Sequence, residues 1–175
     1  MFVDSTPIPV CKLHKSRSHK VCKEIAGYSK NSMGYYYGIK LQLITNIDGL
    51  PLDLQFTTTK TGDRDWLESR ATKYFKDKNC LFVGDKGYQG KEFTKRINST
   101  GNCLFTGIKQ SKNIKLPMTT WQNTLLKLRA RIETCFGKLK NYYNLTTTKA
   151  RTLQGFVNHL ILAVFSLVVG WEGIR

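Results

Sequence analysis

The stretch CLFVGD, residues 80–85, is the clearest indication of the fold of this chain. Four apolar residues are ended by Gly84, and Asp85 follows at once. A short apolar run bounded by a turn residue is typical of a strand buried on both faces. Helical patterns lie on either side, one over about residues 65–77 and a shorter one over 93–97. This alternation predicts strands joined by crossover helices.

The rest of the chain completes the order of elements. A short strand ends at Asp4, and alternating apolar and polar residues predict strands over 37–43 and 52–56, joined by an Asp48-Gly49 turn into an antiparallel hairpin. Further elements are a strand from about Cys103 and helices over about 121–143 and 153–171. Asp65 with Glu68 resembles a capping box, so we expect Asp63 and Asp65 to serve the start of their helix rather than bind metal.

The order βββαβαβαα is the ribonuclease H-like arrangement, an α/β fold with a mixed five-stranded sheet flanked by helices. The 175 residues predict a single domain over 1–175, with a long basic insertion at about 5–33 and a C-terminal core helix at about 153–171. The apolar stretch 160–169 is shorter than the about 20 residues of a membrane span. With no signal peptide visible, we expect a cytoplasmic protein without a membrane partner.

The net charge is the unusual feature of the composition. Lys and Arg number 28 against 12 Asp and Glu, a formal net charge of +16. Such an excess destabilises the folded state by self-repulsion unless a polyanion neutralises it. We therefore expect DNA or RNA as the partner, with an anionic membrane surface as the rival.

The five cysteines are odd in number and mostly lie in apolar runs, which predicts reduced thiols without disulfides. One group leaves an alternative open. Cys11, His14, His19 and Cys22 are all possible zinc ligands, although the gap between the two pairs is shorter than in familiar zinc modules.

In so basic a chain the few acids are informative. Asp4, Asp85 and Glu133 are each an isolated negative charge in a positive neighbourhood. Any one of them alone is most simply a salt-bridge partner or a cap. Together they suggest more, because the predicted fold puts the first and fourth strands side by side and runs the Glu133 helix across their ends. Three carboxylates meeting there would repel unless divalent cations held them, as in the two-metal clamp of phosphoryl transfer.

The helix around Glu133 has two neighbouring faces. At about 100° per residue, Leu126, Arg129, Glu133 and Lys140 share a narrow sector. The apolar stripe beside it, predicted to pack on the sheet, consists of Leu125, Leu128, Ile132, Cys135 and Leu139. Arg129 and Lys140 would then grip a phosphate on either side of Glu133. The simpler alternative is an Arg129–Glu133 surface pair at i,i+4, worth a few tenths of a kcal/mol.

Three blocks carry a family resemblance. VDSTPIPVC around Asp4, FVGDKGYQG around Asp85 and RARIETCFGKLKNYYNL around Glu133 resemble, in order, those of bacterial insertion-sequence transposases with a DDE catalytic domain. The resemblance implies that the three acids are catalytic and bind two Mg²⁺ or Mn²⁺ ions, which activate water to nick the element's end and then direct the freed 3′-OH onto target DNA. It also implies DNA contacts by Arg129, Lys140, Lys86, Tyr88, Lys138 and Arg131.

Two departures from the family pattern qualify this expectation. Leu126 stands where one branch has the Tyr of Tyr-x2-Arg-x3-Glu-x6-Lys. Only three residues precede Asp4, so we expect a catalytic domain without an end-recognition region. The partners implied are transposon ends and target DNA, with a homodimer or higher oligomer assembled on them. The alternatives are another ribonuclease H-like nuclease, or an inactive truncated transposase that is only a basic DNA-binding remnant.

Overall fold

The computed structural model of the chain describes residues 1–31, 33–107 and 118–172. Over these residues the fold is mixed α/β. The strands are β1 Phe2–Cys11, β2 Gly27–Asn31, β3 Gly34–Thr45, β4 Pro51–Thr58, β5 Leu81–Gly84 and β6 Cys103–Thr106. The helices are α1 Asp63–Lys73, α2 Lys91–Asn98, α3 Thr120–Leu128, α4 Ala130–Asn141 and α5 Leu153–Glu172, and short 3-10 turns occupy Leu13–Lys15 and Lys86–Tyr88.

The sheet is mixed, as predicted, but its strand count is not the predicted one. In the described part of the chain it has six strands in the order β2-β3-β1-β5-β6, with β4 paired to β3. The β2–β3 pair is antiparallel, whereas β1–β5 and β5–β6 are parallel. The expectation of five strands was wrong because β2 lies inside the basic insertion, where no apolar alternation marks it. Its stability comes from pairing with β3, including contact between the rings of Tyr28 and Tyr37 at 4.9 Å.

The described chain forms two compact units. The first comprises Met1–Asp4, Leu43–Asp53 and Gly62–Glu133, and the second comprises Ser5–Gln42, Leu54–Thr61 and Thr134–Arg175. The prediction of a single domain over 1–175 stays a prediction.

The core of the first unit explains how its strands and helices hold together. Ten buried side chains form one cluster: Val3, Ile44, Trp66, Leu67, Ala71, Phe75, Phe82, Tyr88, Phe93 and Ile97. They come from strands β1, β3 and β5, from helices α1 and α2, from the segment just after α1, and from the turn after β5. Phe93 and Ile97 are spaced i,i+4, which puts them on the same face of α2. This cluster anchors the end of β5, the place where Asp85 leaves the sheet.

Two helix boundaries differ from the predicted ones. α1 begins at Asp63 with Gly62 as its N-cap, and no side chain caps it. The capping box expected of Asp65 and Glu68 is therefore wrong, since Glu68 instead pairs with Arg96 at 2.8 Å. The helix predicted over 121–143 is two helices, α3 and α4, which meet at Arg129.

The apolar stripe predicted on that helix is only partly buried. Ile132, Cys135 and Leu139 on α4 are fully buried, whereas Leu125 and Leu128 on α3 are half-buried. α3 is instead fixed at its start by a capping box of Thr119 and Gln122. The break leaves Arg129 between two helices rather than in the middle of one.

In the second unit, α5 differs from the expected core helix because only one side of it is buried. The buried side carries Phe156, Leu160, Ala163, Val164 and Leu167, and the exposed side carries Ile161, Leu162, Phe165 and Val169. Over Leu153–Gly170 its mean hydropathy is 1.8, so by length and composition it could cross a membrane. One such helix is weak evidence, because core helices of soluble proteins meet the same criterion.

Candidate acidic site

Strand pairing in the first unit places Asp4 and Asp85 at the same level of two neighbouring strands. β1 and β5 are parallel neighbours, and Phe2 is the register partner of Val83. Asp4 and Asp85 each follow their member of this pair by two residues. β5 ends at Gly84, whereas β1 runs on to Cys11, so the prediction of a short strand that ends at Asp4 is wrong and Asp4 lies within its strand. The backbone therefore brings together two acids that are 81 residues apart in sequence.

Arg129 joins Asp4 to Glu133. Its Nη1 donates to Asp4 Oδ2 at 3.0 Å and its Nη2 donates to Glu133 Oε1 at 2.7 Å. The side chains of Arg129 and Asp4 are only 23% and 21% exposed, whereas that of Glu133 is 56% exposed. The simple i,i+4 pair considered from the sequence is thus present, but it is half of a network. Its other half reaches a strand 125 residues away.

Asp85 is oriented by the turn that follows β5. Its Oδ1 accepts a hydrogen bond from the backbone N–H of Gly87 at 2.8 Å, which caps the 3-10 turn. Arg64 holds the same turn from α1 by donating from Nε to Gly87 O at 2.8 Å. The carboxylate of Asp85 is therefore positioned by the backbone of the turn that it begins.

A cavity of about 380 Å³ links Asp85 to Arg129. It is lined by Gly84, Asp85, Lys86, Gly107, Leu126 and Arg129. Lys86 is exposed at this cavity and adds a positive charge beside Asp85. The three predicted catalytic acids thus either bind the guanidinium of Arg129 or line the cavity that it borders. Leu126, the residue that departs from the family pattern, supplies an apolar wall there.

Tyr88 ends the 3-10 turn that Asp85 caps. It is 2% exposed, and its hydroxyl has no hydrogen-bond partner among the described residues. Burial is the main cause that raises the pKa of Tyr88 well above its usual value, and the negative charges of three aspartates, Asp63, Asp4 and Asp85, raise it further. The predicted DNA contact of Tyr88 is not supported by this position, because a DNA strand could reach its ring only by opening the core.

The carboxylate oxygens of this site are suitable ligands for a divalent cation, but the arrangement of the side chains does not suit one. Carboxylate oxygens are the ligands that Mg²⁺ and Mn²⁺ prefer. Within residues 1–31, 33–107 and 118–172, however, no group of three His, Cys, Asp or Glu side chains is arranged to hold a metal ion. The expectation that the three carboxylates converge on shared cations is not met in this structure. The physical reason is that Arg129 binds both Asp4 and Glu133, while Asp85 accepts a hydrogen bond from the backbone N–H of Gly87.

The remaining predicted DNA contacts have their own partners. Arg131 donates to Ile47 O at 2.6 Å and lies 3.4 Å from Asp48 Oδ1. In the second unit, Lys138 is half-buried, and Lys140 Nζ donates to Thr6 Oγ1 at 2.5 Å. Burial lowers the pKa of Lys140. The prediction that Lys140 flanks Glu133 stays a prediction.

Sequence reasoning missed the part played by Asp63. It was expected only at a helix start, and it is indeed the first residue of α1. Its charge is nevertheless the largest of those that raise the pKa of Tyr88. An acid in the first turn of a helix is common because it stabilises the helix dipole. The local pattern therefore held no signal that would have distinguished Asp63 from an ordinary first-turn acid.

The structure does not support a zinc site formed by Cys11, His14, His19 and Cys22. Cys22 is buried, and burial together with the nearby Cys11 raises the pKa of its thiol to about 11, so it stays protonated at neutral pH. His14 is exposed. Zinc needs deprotonated thiolates and converging ligands, and no such group of three occurs among the described residues.

The fold and the site together define a class: an α/β protein with acidic side chains on a parallel strand pair, in a strongly basic chain. A family model described as "Transposase DDE domain" matches residues 1–153. The chain therefore belongs to the transposase DDE domain family, which assigns it to DNA transposition in general. The match includes Asp4, Asp85 and Glu133. No curated protein matches the chain.

Proposed function

We propose that this chain is a metal-dependent DNA-cutting and DNA-joining domain with Asp4, Asp85 and Glu133 as its catalytic carboxylates. The observation that carries the proposal is the guanidinium of Arg129, which binds Asp4 and Glu133 at 3.0 and 2.7 Å and borders the cavity of Asp85. A single guanidinium thus binds two of the three acids and leaves a net negative charge between them. Two carboxylates that share one cationic partner are what a divalent cation site needs, and here that partner is a side chain.

The proposed reaction has two phosphoryl transfers. In the first, water attacks a phosphorus at the transposon end, the bond from phosphorus to the 3′ oxygen breaks, and a 3′-OH and a 5′-phosphate result. In the second, this 3′-OH attacks a phosphorus of target DNA, whose own 3′ oxygen leaves. Two Mg²⁺ or Mn²⁺ ions, held by the three carboxylates, would supply Lewis-acid stabilisation and lower the pKa of the attacking water.

Arg129 then has a second task. For the carboxylates to hold cations, its guanidinium has to leave Asp4 and Glu133, and a DNA phosphate offers it a new bidentate partner. DNA binding and metal binding are thereby coupled. A phosphate that binds Arg129 frees the carboxylates for cations, and cations on the carboxylates free Arg129 for a phosphate. Lys86, exposed at the same cavity, would hold a phosphate beside Asp85.

The charge of the chain supports DNA as the partner. A formal charge of +16 attracts a polyanion, and Arg131, Lys138 and Lys140 extend the proposed contacts beyond the acidic site. The proposed partners are transposon ends and target DNA, on which the chain would assemble as a homodimer or higher oligomer, in the cytoplasm. The parallel β1–β5–β6 strands and the order of elements support a ribonuclease H-like fold.

One observation favours a second candidate, an inactive DNA-binding remnant. No converged metal group occurs among the described residues, and Arg129 binds two of the acids. On this alternative the chain would keep its affinity for DNA but would not bind Mn²⁺.

Calorimetric titration with Mn²⁺ separates the candidates, using the parent chain, Asp85→Asn and the control Glu92→Gln. Glu92 is a suitable control because its carboxylate is 76% exposed and its pair with Lys95 lies on the helix surface. We expect the parent and the control to bind Mn²⁺ in the presence of duplex DNA and Asp85→Asn to lose at least one ion. A parent that binds DNA without Mn²⁺ would support the remnant. Cleavage of DNA without joining of a 3′-OH strand to a second duplex would indicate a nuclease instead.

A further inference from the structure

The β2–β3 hairpin of the second unit carries two exposed tyrosines on one face. Tyr28 pairs with Tyr37 across the hairpin, and the next pair on the same face, nearer the turn, joins Lys30 to Tyr35. Directly paired residues, and residues two apart on one strand, point to the same side of a sheet. Tyr37 is buried, whereas Tyr28 is 58% exposed and Tyr35 is 67% exposed. Lys30 is exposed as well. We name Tyr28, Lys30 and Tyr35 together the hairpin face.

The basic segment over residues 12–23 lies against the hairpin face. Ser16 Oγ is 2.8 Å from Tyr28 Oη, and this hydrogen bond joins the segment to the hairpin. The residues on either side of Ser16 are Lys15 and Arg17, and both are exposed. Further exposed cations of the segment are Lys12, Lys20 and Lys23. The hydrogen bond therefore holds a group of cations beside the ring of Tyr28.

A cation also lies beside the second ring. Nζ of Lys30 is 5.2 Å from the centroid of the Tyr35 ring. Tyr28 and Tyr35 are diagonal neighbours across the two strands, and such positions are about 7–8 Å apart. A nucleotide offers a flat base, which stacks on an aromatic ring, and a phosphate, which binds a cation. The hairpin face presents both kinds of partner side by side.

We propose that the hairpin face is a binding site for single-stranded DNA. Tyr28 and Tyr35 stack on unpaired bases, and Lys30 with the cations beside Ser16 binds the phosphates. Aromatic side chains on a sheet face stack two or three bases in RNA-recognition modules, and stacking accepts any base because every base has a π-face. Duplex DNA cannot use the rings in this way, because its bases are already stacked on one another.

The site goes beyond the proposed function, since it uses none of the three acids and needs no metal. DNA is chosen over RNA because the chain belongs to a family that acts in DNA transposition. Two other roles of the same residues are decided by the test. Tyr28 could serve only to hold the basic segment through Ser16, and a patch of tyrosines and lysines could also bind an anionic membrane surface.

The test measures the affinity of the full chain for a fluorescein-labelled oligothymidine of about 12 nucleotides and for a duplex of the same length. Fluorescence anisotropy without divalent metal is the readout. Tyr35→Val removes the ring but keeps a side chain that favours strands, and Tyr35→Phe keeps the ring. We expect Tyr35→Val to bind the oligothymidine about 10-fold more weakly than the parent and Tyr35→Phe to bind it within about twofold. Duplex affinity should stay within about twofold of the parent in both variants, because it comes from phosphate contacts.

Tyr74→Val is the matched control. Tyr74 is an exposed tyrosine of the first unit, and Arg70 and Lys73 lie 4.8 and 5.2 Å from its ring centroid. Its replacement should leave the affinity for the oligothymidine at the parental value. Equal affinity in Tyr35→Val and the parent would overturn the proposal. So would an equal loss in Tyr35→Phe, which would exclude stacking, or an equal loss in Tyr74→Val, which would exclude a particular site.

Lys30→Gln keeps the test decisive if Tyr35→Val does not fold. It should reduce the slope of log affinity against log salt for the oligothymidine by about 0.7, the value for one phosphate contact on a single strand. An unchanged slope would overturn the role of Lys30 and, with it, the proposal.

Two competing ligands complete the test. Tighter binding of an oligouridine than of the oligothymidine would assign the site to RNA and overturn DNA as its ligand. If the parent prefers vesicles of phosphatidylcholine and phosphatidylserine and Tyr35→Val loses that binding, the hairpin face is a membrane surface and the proposal is wrong. Because every measurement is made without metal, failure here leaves the proposed function standing. Failure of the parent to bind Mn²⁺ likewise leaves this site standing.

Discussion

Replacement of Arg129 by methionine tests the central claim that this side chain stands where cations would bind. Methionine keeps most of the length and the apolar stem but removes both ion pairs. The Asp4 pair joins side chains that are only 23% and 21% exposed, so its loss should cost about 1.5–3 kcal/mol. The Glu133 pair is more exposed, at 56% on the acid, and contributes only a few tenths. The total loss of unfolding free energy is about 2–3 kcal/mol.

A loss of this size is readily measured. For a chain of this length it corresponds to a fall in the unfolding temperature of roughly 5–10 °C. The control is Lys95→Met, which breaks the Lys95–Glu92 pair at 75% and 76% exposure. Since exposed pairs contribute little, this control should lose no more than about 0.5 kcal/mol.

Mn²⁺ completes the test through a thermodynamic cycle. If cations displace Arg129, neither the parent nor Arg129→Met has the ion pairs in its metal-bound form. The stability difference of about 2–3 kcal/mol without metal should then nearly vanish when Mn²⁺ is saturating. A site at 100 times its dissociation constant contributes about 2.7 kcal/mol in the variant, and correspondingly less in the parent. A difference that persists unchanged in saturating Mn²⁺ would refute the claim that Arg129 and the cations compete.

Four further outcomes are expected. Glu133→Gln should abolish DNA cleavage but leave DNA binding equal or tighter, because it removes a metal ligand and a charge that repels phosphate; a nicking assay and a filter-binding assay measure the two. Lys140→Ala should weaken DNA binding modestly and reduce the slope of log affinity against log salt by about one, with some cleavage left at high DNA and Mn²⁺. Gly84→Ala should cost about 1–3 kcal/mol of unfolding free energy in a denaturant titration, because its Cβ would lie 2.9 Å from the ring of Tyr88. Burial raises the pKa of Cys135 from 9.0 to about 12, so the folded state retains a proton that the unfolded state releases and stability should fall as pH rises from 9 to 12, a loss that Cys135→Ala should lessen.

Each of these has a contrary result. Cleavage by Glu133→Gln at the parental rate would remove Glu133 from the catalytic group. An unchanged salt slope in Lys140→Ala would show that this lysine touches no phosphate. Parental stability of Gly84→Ala would mean that the ring of Tyr88 can shift to make room for the added Cβ. An identical alkaline slope in Cys135→Ala would assign that slope to other groups.

Local sequence patterns predicted the strands in which apolar and polar side chains alternate and the helices in which apolar side chains recur at helical spacing. The hairpin of β3 and β4, the short apolar strand β5 and the amphipathic α2 could be read directly, because burial of one face leaves a period in the sequence. β2 could not, since Gly27–Asn31 has no apolar alternation and is held by its pairing with β3. The break at Arg129 was also invisible, because the residues on either side of it are good helix formers.

For the acidic site, the sequence was enough to select the candidate catalytic residues. A chain of charge +16 with three isolated acids, in blocks that resemble a transposase DDE domain, limits the candidates to Asp4, Asp85 and Glu133. Only the tertiary structure decided how they are used. The parallel pairing of β1 and β5 places Asp4 beside Asp85, Arg129 reaches from the helix junction to Asp4, and Tyr88 is buried in the core of the first unit. The physical reason is that ion pairing and burial depend on distances between residues up to 125 positions apart, and no local pattern records those distances.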